Sequence, residues 1–140
     1  MNKTILLVLT LFTASSLFAG GGYAPTDGER ARWTMSDMTS WRTALEAYAK
    51  DHGGYPAATN IDELRKALEG KYMAVAPLHD AWGRAYRYAG SGDGFRLVSG
   101  GADGRFEEAT WSAKGRTASL DDDAVMTNES GWLTRFWSLQ

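Results

Sequence analysis

Ala31, Met35, Met38, Trp41, Leu45 and Tyr48 recur at spacings of three and four residues, which describes one apolar face of an α-helix. Thr26 or Asp27 can cap the start of that helix, and Asp51-His52-Gly53-Gly54 ends it. Arg32, Ser36, Asp37, Arg42, Glu46 and Lys50 occupy the other faces, so the helix lies on a core with its remaining surface in water. It is too polar to span a membrane. A second, shorter helix is expected over residues 61–69, because Asn60 with Glu63 three positions on makes a capping-box-like start and Gly70 a stop.

From Lys71 onward the pattern changes to strand and turn. Tyr86 and Tyr88 alternate with Arg87 in residues 84–89, and Phe95 and Leu97 mark a second run over 95–99. Gly90-Ser91-Gly92-Asp93-Gly94 between them predicts an antiparallel hairpin. The expected fold class is α+β, with one long N-terminal helix packed on a small antiparallel sheet. Trp33, Trp41 and Trp82 are expected in the core.

Residues 1–19 read as a secretory leader: Lys3, an apolar run over 5–12, then small residues around Ala14-Ser15-Ser16 and Ala19-Gly20. The run is shorter than the roughly 20 apolar residues that cross a bilayer. Cleavage after Ala19 is therefore expected, leaving a single domain, 20–140, with no stable membrane anchor, exported to the periplasm or secreted. Without Lys3 the side chains carry 14 cations against 17 anions, which argues against a nucleic-acid partner. The chain has no cysteine, so its loops need some fastening other than disulfides.

The strongest site candidate combines the turn Gly100-Gly101-Ala102-Asp103-Gly104 with Asp121-Asp122-Asp123. A calcium ion takes six to eight oxygens, mixing carboxylates with backbone carbonyls that glycines allow to turn inward. The competing reading makes Asp103 a simple turn residue and the triplet a solvated charge run. His79-Asp80 with Ser99 offers the parts of a nucleophilic triad but lacks the strained elbow such a serine needs, and adjacent residues on an extended chain point apart. Asp80 is better explained as the cap of the turn into Trp82-Gly83, so no catalytic role is expected. Trp111, Trp132 and Trp137 stand in the long loop and the tail. If the tail is helical, Trp132, Leu133, Phe136 and Trp137 share one side, so Trp132, Phe136 and Trp137 are candidate partner-binding residues. That surface either covers the core, meets another protein or stacks on carbohydrate.

Three segments occur in order: Asp51-His52-Gly53-Gly54-Tyr55-Pro56, then Pro77-Leu78-His79-Asp80-Ala81-Trp82-Gly83-Arg84-Ala85-Tyr86-Arg87-Tyr88, then Ser99-Gly100-Gly101-Ala102-Asp103-Gly104. Together they resemble the globular domain of the major pseudopilin of type II secretion, over residues 33–123. The resemblance implies a pilin-like fold, a non-catalytic structural role and protein partners in a secretion or type IV pilus-like machine. It also implies a calcium ion held by Asp103, by the carbonyls of Gly100 and Arg105, and by two of Asp121, Asp122 and Asp123. Members of that family carry a short basic leader cut before a long apolar helix that anchors and polymerises the subunit. Here residues 20–25 lead into a polar helix, so the expectation is a soluble accessory subunit with a calcium-stabilised C-terminal loop. Ala81 also stands where the family has proline, and the loop after Asp103 is longer than expected. The alternative is an exported binding module for carbohydrate or a secreted protein.

Overall fold

A computed structural model describes residues 22–129 and 133–139, Leu133 by its backbone alone. The expected leader, 1–19, and Trp132 lie outside the described residues. The elements run α1 (Asp27–His52), α2 (Ile61–Leu68), β1 (Arg87–Ser91), β2 (Gly94–Ser99), a short 3-10 turn (Glu108–Thr110), β3 (Gly115–Thr117), β4 (Ala124–Thr127) and β5 (Leu133–Trp137). The strands form one sheet in the order β1-β2-β4-β5-β3. This is the α+β architecture expected, with one difference: β3 pairs with β5 in parallel, so the sheet is mixed. No helix among the described residues is long and apolar enough to cross a membrane.

α1 starts at a full capping box, in which the Thr26 hydroxyl accepts from Glu29 N while the Glu29 carboxylate accepts from Thr26 N. Gly53 closes the helix at φ 75°, a left-handed conformation that costs other residues about 1–2 kcal/mol. Met38, Trp41, Ala44 and Leu45 are fully buried against the sheet, and the Trp41 indole donates to Pro77 O at 3.1 Å. Trp33 was placed with Trp41 in the core by its sequence, yet it is 48 % exposed. At about 100° per residue it lies about 140° round the helix from Met38, off the buried stripe.

The expected hairpin forms as β1 and β2, starting three residues later than the alternation suggested. Glycines allow its close approaches: a Cβ on Gly54, after α1, would meet Gly92 O of the turn at 2.6 Å, and one on Gly94 would meet the Asn128 side chain at 2.7 Å. The tail forms strand β5, not a helix. Trp137 is consequently buried, edge-to-face on Trp82 with ring centroids 5.5 Å apart.

Under α1 a buried polar cluster holds the layers together. Asp80 is 4 % exposed; Oδ1 accepts from Trp82 N and Arg84 N at 3.0 Å each, and Oδ2 accepts from Ser99 Oγ at 2.8 Å. Thr34 Oγ1 accepts from Ala81 N at 3.0 Å, and Arg30 Nη1 donates to Ala81 O at 2.7 Å. The turn at 80–84 is thereby tied to α1 on one side and β2 on the other. Asp37, further along α1, sits half-buried beside Tyr86, whose buried hydroxyl approaches it without closing a well-formed hydrogen bond. Burial holds the Asp37 carboxyl above its ordinary value of 3.8, with the Tyr86 hydroxyl pulling weakly the other way.

Asp80→Ala orphans two amides and a hydroxyl, and a loss of about 3 kcal/mol in urea unfolding is expected, against about 1 kcal/mol for Ser99→Ala. A loss below that of Ser99→Ala would show that the cluster does not organise the turn. For Asp37, the folded chain holds its proton more tightly than the unfolded chain does. Its contribution is thus complete below the unfolded pKa and fades as pH rises through the raised folded value. Asp37→Asn should therefore raise the urea midpoint at about pH 7 and bring no gain at about pH 3; equal midpoint shifts at both would contradict the assignment.

Candidate metal centre

Residues 100–105 turn back on themselves, with Gly104 N donating to Gly100 O at 3.1 Å and Asp103 Oδ1 accepting from Arg105 N at 2.8 Å. Arg84 leaves the Asp80 turn and passes directly beneath, its Nη1 donating to Ala102 O at 2.8 Å and Gly101 O at 3.2 Å. The second half of the site, 119–123, is fastened across by Ala102 N donating to Leu120 O at 2.8 Å. At Gly101 the backbone takes φ 65°, and an added Cβ would stand 2.6–2.8 Å from the carbonyl oxygens of Leu120, Asp121 and Asp122. Three carbonyls thus crowd one small cradle that only glycine leaves open.

The four candidate aspartates have different surroundings. Asp121 and Asp103 are exposed. Asp122 is engaged from the tail: its Oδ2 accepts from Arg135 Nη2 at 2.9 Å and from the Thr117 hydroxyl, while Asp122 O accepts from the Trp137 indole at 2.8 Å. Asp123 is completely buried. Its Oδ2 accepts from Glu107 N at 2.8 Å and from the Trp111 indole, while its Oδ1, equally buried, has no partner. Burial raises the Asp123 carboxyl above its ordinary value, against these donors and Arg135; the charge of nearby Asp103 adds slightly to the rise.

Among the described residues no three acidic, histidine or cysteine side chains come together as a ready metal cluster. The oxygens in this region are of another kind: one orphaned carboxylate oxygen on Asp123, the exposed Asp103 carboxylate whose charge it feels, and the carbonyls around Gly101. That mixture suits a hard cation such as calcium and suits zinc poorly. Asp103 and Asp123 are the carboxylates left to hold such an ion, since Asp122 is paired with Arg135. The carbonyls of Gly100 and Arg105 belong to the same turn.

Other site expectations resolve as follows. Ser99 and Asp80 are buried and bonded to each other, while His79 is exposed, so the three do not assemble as a triad. Trp137 was placed on a partner-binding surface and instead packs in the core against Trp82, because the tail is a strand and not a helix. Phe136 is half-buried under the Arg116 guanidinium, 5.7 Å from its ring centre. Sequence reasoning missed Arg135, Thr117 and Trp111 as the holders of the acidic stretch. Only the cation at 135, a lone basic residue after an acidic triplet, gave any signal.

Gly101→Ala and Gly115→Ala both force a side chain into positive φ, a cost of about 1–2 kcal/mol each. Gly115, at φ 99°, has open space around it, whereas Gly101 faces the three carbonyls. Urea unfolding should therefore show a distinctly larger loss for Gly101→Ala, and equal losses would refute the crowding.

The sequence model of the family described as type II secretion system (T2SS), protein G matches residues 24–114. No curated protein matches the chain. The match takes in both helices, the hairpin, the Asp80 turn and Asp103, and stops before Asp121-Asp122-Asp123. The chain therefore belongs to the type II secretion system protein G family, the major pseudopilins.

Proposed function

We propose that the chain is a non-catalytic structural subunit serving type II secretion, exported to the periplasm or beyond, whose C-terminal loops are locked by one calcium ion. The family is structural, which supports partners among the protein components of the secretion machine. The observation that carries the calcium is Asp123 Oδ1, a buried carboxylate oxygen with no partner. Leaving such a group unsatisfied costs about 1–3 kcal/mol, and more for a charged one, which a bound cation would recover. Asp123 and Asp103 would supply the carboxylates and the turn around Gly100 and Arg105 the carbonyls, with Asp121 available at the rim. The ion's chemistry would be structural: it cross-links 100–105 to 120–123, two segments that the fold otherwise joins by few bonds.

Within the family's work the chain fits an accessory role better than a shaft-forming one. α1 has its own beginning, with Thr26 in an extended conformation (φ −70°, ψ 161°) and both halves of a capping box made. A helix running unbroken into α1 from upstream would lose that cap, worth about 1 kcal/mol. A carbohydrate-binding module gains no stacking face from Trp137, which is buried.

Calcium titration by calorimetry, with melting curves in calcium and in chelator, tests this reading. One saturable site is expected, stabilising the fold by about 2.7 kcal/mol at a hundred times the Kd. Both effects should vanish in Asp103→Ala and in Asp123→Asn, the latter retaining acceptors for Glu107 N and Trp111. Absence of binding at millimolar calcium would overturn the calcium clamp while leaving the family membership intact.

A further inference from the structure

The β1–β2 hairpin buries Tyr88, Phe95 and Leu97 on its inner face and turns Arg87, Ala89 and Arg96 outward. Part of the outer face is roofed by the loop carrying Phe106 and Trp111. The rest is an open cavity of about 480 Å³, walled by the hairpin, the start of α2 and Trp111. That volume is within the range of ligand sites.

One rung of the sheet edge opens into this cavity. Along β1, alternate residues direct their N–H and C=O away from β2. Gly90 N donates outward to Ala58 O at 2.9 Å, and Tyr86 N donates outward to Leu78 O at 3.1 Å. Tyr88, between them, follows the same parity, and its N–H and C=O have no backbone partner among the described residues. Beside this rung the Arg96 guanidinium lies 5.3 Å from the Trp111 ring centre, with no carboxylate in ion-pair range among the described residues. Arg87 lies over Phe106 at 3.8 Å and, among the described residues, pairs with exposed Glu108 at 3.3 Å. Guanidinium groups held over aromatic faces keep their hydrogen-bond donors free to take a carboxylate.

We infer that this groove docks a short, extended acidic segment of a partner protein. One residue of that segment pairs with the open Tyr88 rung. Its two neighbours then project on the outer face, because side chains alternate along a strand. Carboxylates at those two positions reach Arg87 and Arg96, so the motif is acidic, any residue, acidic. The closed rungs at Gly90 and Tyr86 limit backbone pairing to this one residue, which keeps the contact short and exchangeable. A peptide is favoured over an anionic sugar because the rung offers a donor and an acceptor at backbone spacing. The inference goes beyond the calcium reading and uses none of its ligand oxygens, since Trp111 is held by Asp123 Oδ2.

The test titrates the full exported chain, in calcium, with a capped pentapeptide Ser-Glu-Val-Glu-Ser, followed by amide-resolved NMR. Its glutamine counterpart and a galacturonic acid oligomer are run in parallel. Saturable binding by the glutamate peptide is expected, weakened about tenfold or more by the glutamine replacement and by Arg96→Glu. On binding, the Tyr88 amide should become protected from exchange, which a purely ionic contact would not produce. Arg96→Gln serves as a second variant if Arg96→Glu melts below the native protein. No peptide binding at millimolar concentration, binding indifferent to Arg96, or binding of the sugar alone would each overturn the inference.

Discussion

The Asp80 carboxylate is the joint on which the other layers depend. Buried under α1, it uses Oδ1 to close the turn through Trp82 N and Arg84 N and Oδ2 to hold Ser99 on β2. α1 grips the same turn through Thr34 and Arg30. A buried carboxylate is tolerable only when its oxygens are satisfied, and these are. Arg84 carries the order onward, running from the turn to the carbonyls of Gly101 and Ala102. Helix, hairpin and C-terminal loops therefore meet through one side chain and its neighbours.

Asp123 is the contrasting case. It is as deeply buried, yet one of its oxygens is satisfied twice and the other not at all. The tail does not supply what is lacking: Arg135, Thr117 and the Trp137 indole all attach to Asp122. Adjacent acidic residues thus divide the work, Asp122 anchoring the strands and Asp123 holding the loop at Glu107 and Trp111. Asp103 and Asp123 repel each other, and the proposed cation would offset that repulsion.

Much of this fold was legible in the residues. α1 was readable because its stripe is dense and both ends carry capping chemistry, Thr26 with Glu29 and Gly53 in a left-handed turn. The hairpin was readable from Tyr86, Tyr88, Phe95 and Leu97 around a glycine-rich turn. β5 was not, because Leu133, Phe136 and Trp137 match helical spacing as well as any strand, and a strand placed between β4 and β3 shows no clean alternation. β3, Gly115-Arg116-Thr117, carries no apolar signal at all. At the site, the glycine turn and the acidic triplet pointed to the right neighbourhood. Which aspartate is buried and which is paired depends on Arg135 and Trp111, contacts 12 and 13 residues away that no local pattern announces.

The proposed calcium clamp rests on the incompletely satisfied buried Asp123 of this pseudopilin-family domain. The measurement that tests this most directly is a crystal structure determined in calcium with anomalous scattering. An ion about 2.3–2.6 Å from Asp123 Oδ1, sharing ligands with Asp103 and the turn at 100–105, is the expected result. Density showing Asp123 Oδ1 bonded only to protein groups or water at saturating calcium would contradict it.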